Sequence, residues 1–127
     1  MKTKTYGHRV WFFPDGDLPP AGTGEFQGHE SLIILNPNDA DATVQLTVYY
    51  PDREPGVPPA QVVPARRVRC LRTNEPIGDY QIPFGPYALK LESTTPIICQ
   101  IGRADVRQPN LAYYTVMGFP VEASVPS

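Results

Sequence analysis

The sequence predicts an all-β fold, a single-domain antiparallel β-sandwich of jelly-roll type with about eight strands, and three observations carry that prediction. Helical periodicity is almost absent. Runs of five to nine β-branched, aromatic and aliphatic residues recur along the 127-residue chain, the pattern of sandwiches and barrels. The 16 prolines and 10 glycines bound those runs; they punctuate turns and stay below the share that marks low-complexity disorder. Folding a chain of this size buries roughly two-thirds of its unfolded surface, so one core is enough.

The clearest strand covers residues 42–50, where Ala42, Val44, Leu46, Val48 and Tyr50 alternate with Thr43, Gln45, Thr47 and Tyr49. Such alternation puts one face in the core. Further strands are expected at 8–13, 30–36, 60–63, 67–72, 87–92, 97–103 and 111–117. Residues 31–35 and 96–101 are apolar on both faces, which predicts central positions covered by a second sheet or a neighbouring subunit. Asn36-Pro37-Asn38-Asp39 supplies side chains that close turns. It links two strong strand patterns, so it is expected to be a hairpin that makes them antiparallel neighbours. Residues 14–28 and 51–59 are long, Pro- and Gly-rich connections of the kind that carry recognition. Residues 1–119 are expected to form the sandwich domain, and the aperiodic residues 120–127 a flexible C-terminal tail.

With 11 Lys and Arg against 13 Asp and Glu, the net charge of −2 creates no global field for nucleic acid or anionic lipid. The apolar run Val10-Trp11-Phe12-Phe13 ends at Pro14, short of the roughly 7–15 apolar residues of a signal peptide. No stretch approaches a membrane span, and the expected location is cytoplasmic. Cys70 and Cys99, each within an apolar strand pattern, are expected to be reduced thiols.

Catalytic templates are missing: there is no Gly-x-Ser-x-Gly elbow, phosphate-cradling Gly-rich loop, His-Glu-x-x-His helix or Cys-x-x-Cys pair. No catalytic residue and no cofactor is expected. His29-Glu30 is the single adjacent acid–base pair, and neighbours on a strand point to opposite faces. Two histidines are too few for an evident metal site, and none is expected. The densest positive run is residues 66–72. On a strand, Arg67, Arg69 and Leu71 share one face, and Arg66, Val68, Cys70 and Arg72 the other. Arginines two residues apart lie about 7 Å from each other and suit carboxylates or phosphates. This leaves intersubunit ion pairs, a ligand, or a nucleic-acid backbone on Arg67, Arg69 and Arg72 as alternatives. Gln100, Arg103, Asp105, Arg107 and Gln108 form a second polar group directly after a buried strand. Arg103 continues the face of Ile101 and needs an ionic partner, with Asp105 and Glu30 as candidates.

Laid out in order, these segments resemble the soluble transducer family named for the Anabaena sensory rhodopsin transducer. The resemblance runs from about Gly7 to Phe119 and keeps order and spacing. It includes Gly7, Trp11, Gly16, Pro19-Pro20, Gly22, Gly24, His29-Glu30 and Ile34-Leu35-Asn36. It continues with Asp41-Ala42, Thr47, Tyr49-Tyr50, Asp52, Glu54-Pro55 and the block Val63-Pro64-Ala65-Arg66-Arg67. Arg72, Asn74, Pro96-Ile97, Gln100, Arg103, Asp105 and Arg107-Gln108 complete it. The resemblance implies a cytoplasmic sandwich that forms a cyclic homotetramer and lacks catalytic activity. Its implied partners are a membrane sensory rhodopsin or another signalling protein, a small carbohydrate-like ligand, and DNA. The expected function is a signalling or sensing adaptor. Its ligand- or partner-binding residues are expected to be His29, Glu30, Asn36, Arg66, Arg67, Gln100, Arg103 and Asp105. A nucleic-acid-binding regulator and a small sandwich enzyme are the alternatives.

Overall fold

In the computed structural model, which describes residues 4–19, 22, 28–106 and 112–122, two antiparallel sheets share one long strand. The strands in chain order are β1 (His8–Leu18), β2 (His29–Asn36), β3 (Ala42–Tyr49), β4 (Gln61–Val63), β5 (Arg67–Arg72), β6 (Gly85–Asp105), β7 (Ala112–Met117) and β8 (Phe119–Pro120). Sheet A has the order β4-β3-β6-β1-β8. Sheet B has the order β5-β2-β6-β7. Residues 85–93 and Ile97 of β6 pair in sheet A and residues 98–105 in sheet B. The two strands expected at 87–92 and 97–103 are therefore one. The segment between them, Ser93-Thr94-Thr95-Pro96, is β-branched in part and carries the chain from one sheet to the other without a turn.

The core lies between the sheets because each strand turns alternate residues inward. Phe13, Val44, Leu46, Val48, Leu89 and Leu91 of sheet A meet Leu32, Ile34, Cys99 and Ile101 of sheet B. The apolar runs read as central are so: β2 lies between β5 and β6, and the second half of β6 between β2 and β7.

Two expectations are corrected. Residues 36–39 do not close a hairpin, because β2 belongs to sheet B and β3 to sheet A, with no pairing between them. Buried Asn36 and Asn38 turn the chain across the sandwich instead. The Asn36 amide donates to the carbonyls of Ala40, Val63 and Pro64, and that of Asn38 to Tyr6 and Pro96. Nor does the first strand end at Phe13. It continues to Leu18 through a register shift between Phe13 and Gly16, and an irregularity there tolerates Pro14, which has no N–H for a ladder. The second long connection, residues 51–59, is irregular apart from the Val48–Gly56 bridge. At the C-terminus, Phe119 and Pro120 lie opposite Phe12 and Trp11, and Val121 donates its N–H to Val10. Residues 123–127 of the expected tail lie outside the described residues.

Candidate functional site

Strand alternation sends Glu30, Leu32, Ile34 and Asn36 of β2 inward and His29, Ser31, Ile33 and Leu35 outward. The register then sets Arg103 opposite Glu30, and Tyr114 opposite Arg103. A carboxylate, a guanidinium and a phenol thus form one row on the inner face of sheet B. Glu30 is completely buried and Arg103 is 5% exposed. Arg103 Nε donates to Glu30 Oε2 at 2.6 Å, Nη1 to the Tyr114 hydroxyl at 2.9 Å, and Nη2 to the Asp15 carbonyl at 2.7 Å. The Arg103 guanidinium also lies 5.2 Å from the centroid of the Tyr114 ring.

Sheet A closes the network from above. The Tyr87 hydroxyl donates to Glu30 Oε1 at 2.6 Å and contacts Thr73 Oγ1 at 3.2 Å, while the Asp17 N–H reaches Glu30 Oε2. Burial, and then the adjacent Glu30 carboxylate, raise the Tyr87 phenol above its ordinary pKa. Burial works against the charge of Arg103, but the bonds to Tyr114 and Glu30 outweigh it and hold the guanidinium above its ordinary value. Both Glu30 oxygens are occupied, so the pair acts as a clasp joining β1, β2, β6 and β7. Of the two partners foreseen for Arg103, the structure selects Glu30.

Asn36, Arg66 and Arg67 stand at the far end of β2, roughly 20 Å from Glu30 by strand rise. Asn36 is buried and bonded to backbone, including acceptance of the Asn38 N–H. Arg66 has φ of 55°, is exposed, and faces Asp39 at 3.7 Å. Arg67 is exposed and donates to the carbonyls of Ala65 and Arg66. Gln100 and His29 face outward, and His29 meets the Tyr113 ring edge-on. Asp105, at the end of β6, lies opposite Ala112. The expected polar residues therefore divide among the buried clasp, the turn between sheets, and the outer face of sheet B. Arg107 and Gln108 lie outside the described residues.

Sequence reading passed over Tyr87, Thr73 and Tyr114. Tyr87 alternates with Leu89 and Leu91 and so reads as one more core aromatic. Its hydroxyl was the available signal, since a buried phenol usually finds a partner. Sequence reading also did not foresee the exposed apolar rows of sheet B. On the outer face of sheet B, Val68, Leu35 and Ile98 form one row across three strands. Cys70, Ile33, Gln100 and Met117 form the next.

Both cysteines are free. Cys99 points into the core, where burial pushes its thiol up to about 12. Unfolding restores an ordinary thiol, so ionisation favours the unfolded chain between its value of about 8.5 and the folded value. Native Cys99 is expected to resist a thiol reagent at pH 8–9 and to react once the chain is denatured. The stability that its protonated state contributes is fully present below about pH 8.5 and declines above it. Rapid modification of Cys99 in the native protein would contradict its placement.

Among the described residues no group of three or more His, Cys, Asp and Glu could hold a metal, and no helix is long and apolar enough to cross a membrane.

Fold and site together define a two-sheet β-sandwich whose buried ion pair is committed to holding strands. The chain belongs to the Anabaena sensory rhodopsin transducer family, whose model matches residues 6–120. A solved structure titled Anabaena sensory rhodopsin transducer is 37% identical, with a TM-score of 0.70, covering 78% of this chain and 99% of that one. The crystal structure of Thermotoga maritima 1070 is 32% identical, with a TM-score of 0.80, covering 93% of this chain and 98% of that one. No curated protein matches the sequence.

Proposed function

We propose that the chain is a cytoplasmic signalling adaptor that assembles as a homotetramer and works by binding a partner protein, with no catalytic step of its own. The observation that carries this reading is the outer face of sheet B. Val68, Leu35, Ile98 and Met117 are 63, 38, 42 and 79% exposed there, and contiguous exposed apolar surface marks interaction sites. Family membership supports the transducer role, and a ring of copies multiplies weak single contacts. The complete use of the Glu30 carboxylate supports binding over acid–base catalysis.

Light scattering of Val68→Glu and Ile98→Glu tests the assembly. A tetramer mass is expected for the unaltered chain and a smaller species for each variant, with the circular dichroism spectrum retained. Cys70, which lies in the same face, is expected to react faster with a thiol reagent in the dissociated variants. A monomeric parent protein, or two variants that remain tetrameric, would remove this face from the proposal.

A second reading, a small carbohydrate-like ligand, has one observation in its favour. A groove of about 220 Å³ is lined by Pro14, Tyr49, Tyr50 and Tyr87 among others, and flat aromatic walls suit a ring with one apolar face. Tyr87 ties this groove to the clasp. Thermal shifts with a set of monosaccharides are expected to appear in the parent and vanish in Tyr49→Ala; no shift with any sugar would end this reading.

A further inference from the structure

Among the described residues, the four edge strands differ in a way that singles out β5. Strand β8 has two residues and β4 three, too few for an extended ladder, and β7 has six but carries no charge. Strand β5 has six residues, three of them arginine, and among the described residues it pairs only with β2. Alternate residues of β5 therefore direct their N–H and C=O groups away from β2, where they form an open row for another strand.

The arginines decide what can fill it. Among the described residues no ion pair involves Arg67, Arg69 or Arg72. Arg67 and Arg69 donate to the neutral carbonyls of Ala65, Arg66 and Val62. Glu75 meets Arg72 only through its backbone N–H. A second copy of β5 is a poor occupant: the strand has no acidic residue to meet the three arginines in any register, and a two-fold axis at Arg69 sets that arginine directly opposite itself, where like charges are destabilising. A nucleic-acid backbone is a poor occupant too. Arg67 and Arg69 lie on the inner side of the strand and Arg72 on the outer side, so they straddle an edge rather than line one face.

We propose that the β5 edge binds an extended acidic segment of a partner protein, which adds as an antiparallel strand to sheet B. The proposal rests on the adaptor reading and names the partner's chemistry. Register makes it specific. Opposite Arg72, Leu71, Cys70, Arg69, Val68 and Arg67 in turn, the added strand places acidic, apolar, apolar, acidic, apolar and acidic residues. Main-chain bonds supply affinity, and the alternate side chains supply selection. The added apolar residue opposite Val68 extends the exposed apolar row of Val68, Leu35 and Ile98.

The test uses the full chain and a capped peptide with the sequence Glu-Leu-Val-Glu-Val-Glu at its centre, read by titration calorimetry and by amide hydrogen exchange. Saturable binding is expected, with new protection confined to alternate amides of β5. Arg69→Glu, a change at a half-buried edge position, is expected to weaken binding by about tenfold or more with the circular dichroism spectrum retained, since charge-assisted hydrogen bonds are the strong ones. A peptide methylated on its ladder-forming amides is expected to lose binding although its charge is unchanged. Equal binding by the methylated peptide or by a scrambled peptide of the same composition would overturn strand addition. A salt-sensitive complex with a DNA duplex that is lost in Arg69→Glu, with no peptide binding, would assign the edge to nucleic acid. Loss of tetramer mass in Arg69→Glu would assign it to a second copy. If no peptide binds while Val68→Glu still dissociates the tetramer, the edge proposal fails and the adaptor reading stands.

Discussion

Arg103→Met is expected to destabilise the protein by about 3–5 kcal/mol, the cost of breaking a buried ion pair from one side. The change keeps an apolar stem of similar length and removes only the guanidinium. Glu30 would then remain fully buried, with a charge stabilised by the Tyr87 hydroxyl and the Asp17 N–H alone. The Asp15 carbonyl and the Tyr114 hydroxyl lose their donor at the same time. Urea unfolding of the single variants and of Glu30→Gln with Arg103→Met measures the coupling. The double variant is expected to be less destabilised than the sum of the single changes, because the uncompensated charge is gone. Arg103→Lys is expected to fall between, since one ammonium cannot span acceptors on three strands as the fork does. A loss below about 1 kcal/mol for Arg103→Met would show that the clasp is not a stabilising feature of the kind a buried pair implies.

Asn36→Ala is expected to cost about 2–4 kcal/mol, on the basis of about 1 kcal/mol for each lost hydrogen bond plus the penalty for buried acceptors left without a donor. Its amide serves the carbonyls of Ala40, Val63 and Pro64, and its oxygen accepts the Asn38 N–H. The loss should show in thermal and urea unfolding without any ligand present. Asn36→Asp, which keeps the acceptor but removes the donors and adds a charge, is expected to be at least as damaging. If Asn36→Ala leaves the melting temperature unchanged, the side chain is not what turns the chain between sheets.

These two residues show how far the sequence could be read. The need of Arg103 for a partner was legible because a charge continued the apolar face of Ile101, whereas the inward position of Glu30 was not, because the strand after it is apolar on both faces. The choice of Glu30 over Asp105 was not, since it depends on the register between β2 and β6. Asn36 was read correctly as a residue that organises a turn. That the turn crosses the sandwich instead of closing a hairpin follows from carbonyls supplied by residues 63 and 64, far along the chain. Tyr87 was hidden by its own regularity: it falls on the core face of a strand, where a tyrosine and a phenylalanine read alike.

By itself, the sequence determined the all-β class, most strand positions, the inward face of the clearly alternating strand at 42–50 and the family to which the chain belongs, because period-two patterning and ordered motifs are local properties. Only the tertiary structure decided which strands pair. It made one strand of residues 85–105 and set β2 and β3 in different sheets. It buried Glu30 against Arg103 and left the arginines of β5 along an open edge. The physical reason is that pairing and burial depend on groups distant in the chain. Residue patterning states which side chains seek the core or an ionic partner, and register between strands decides which of them meet.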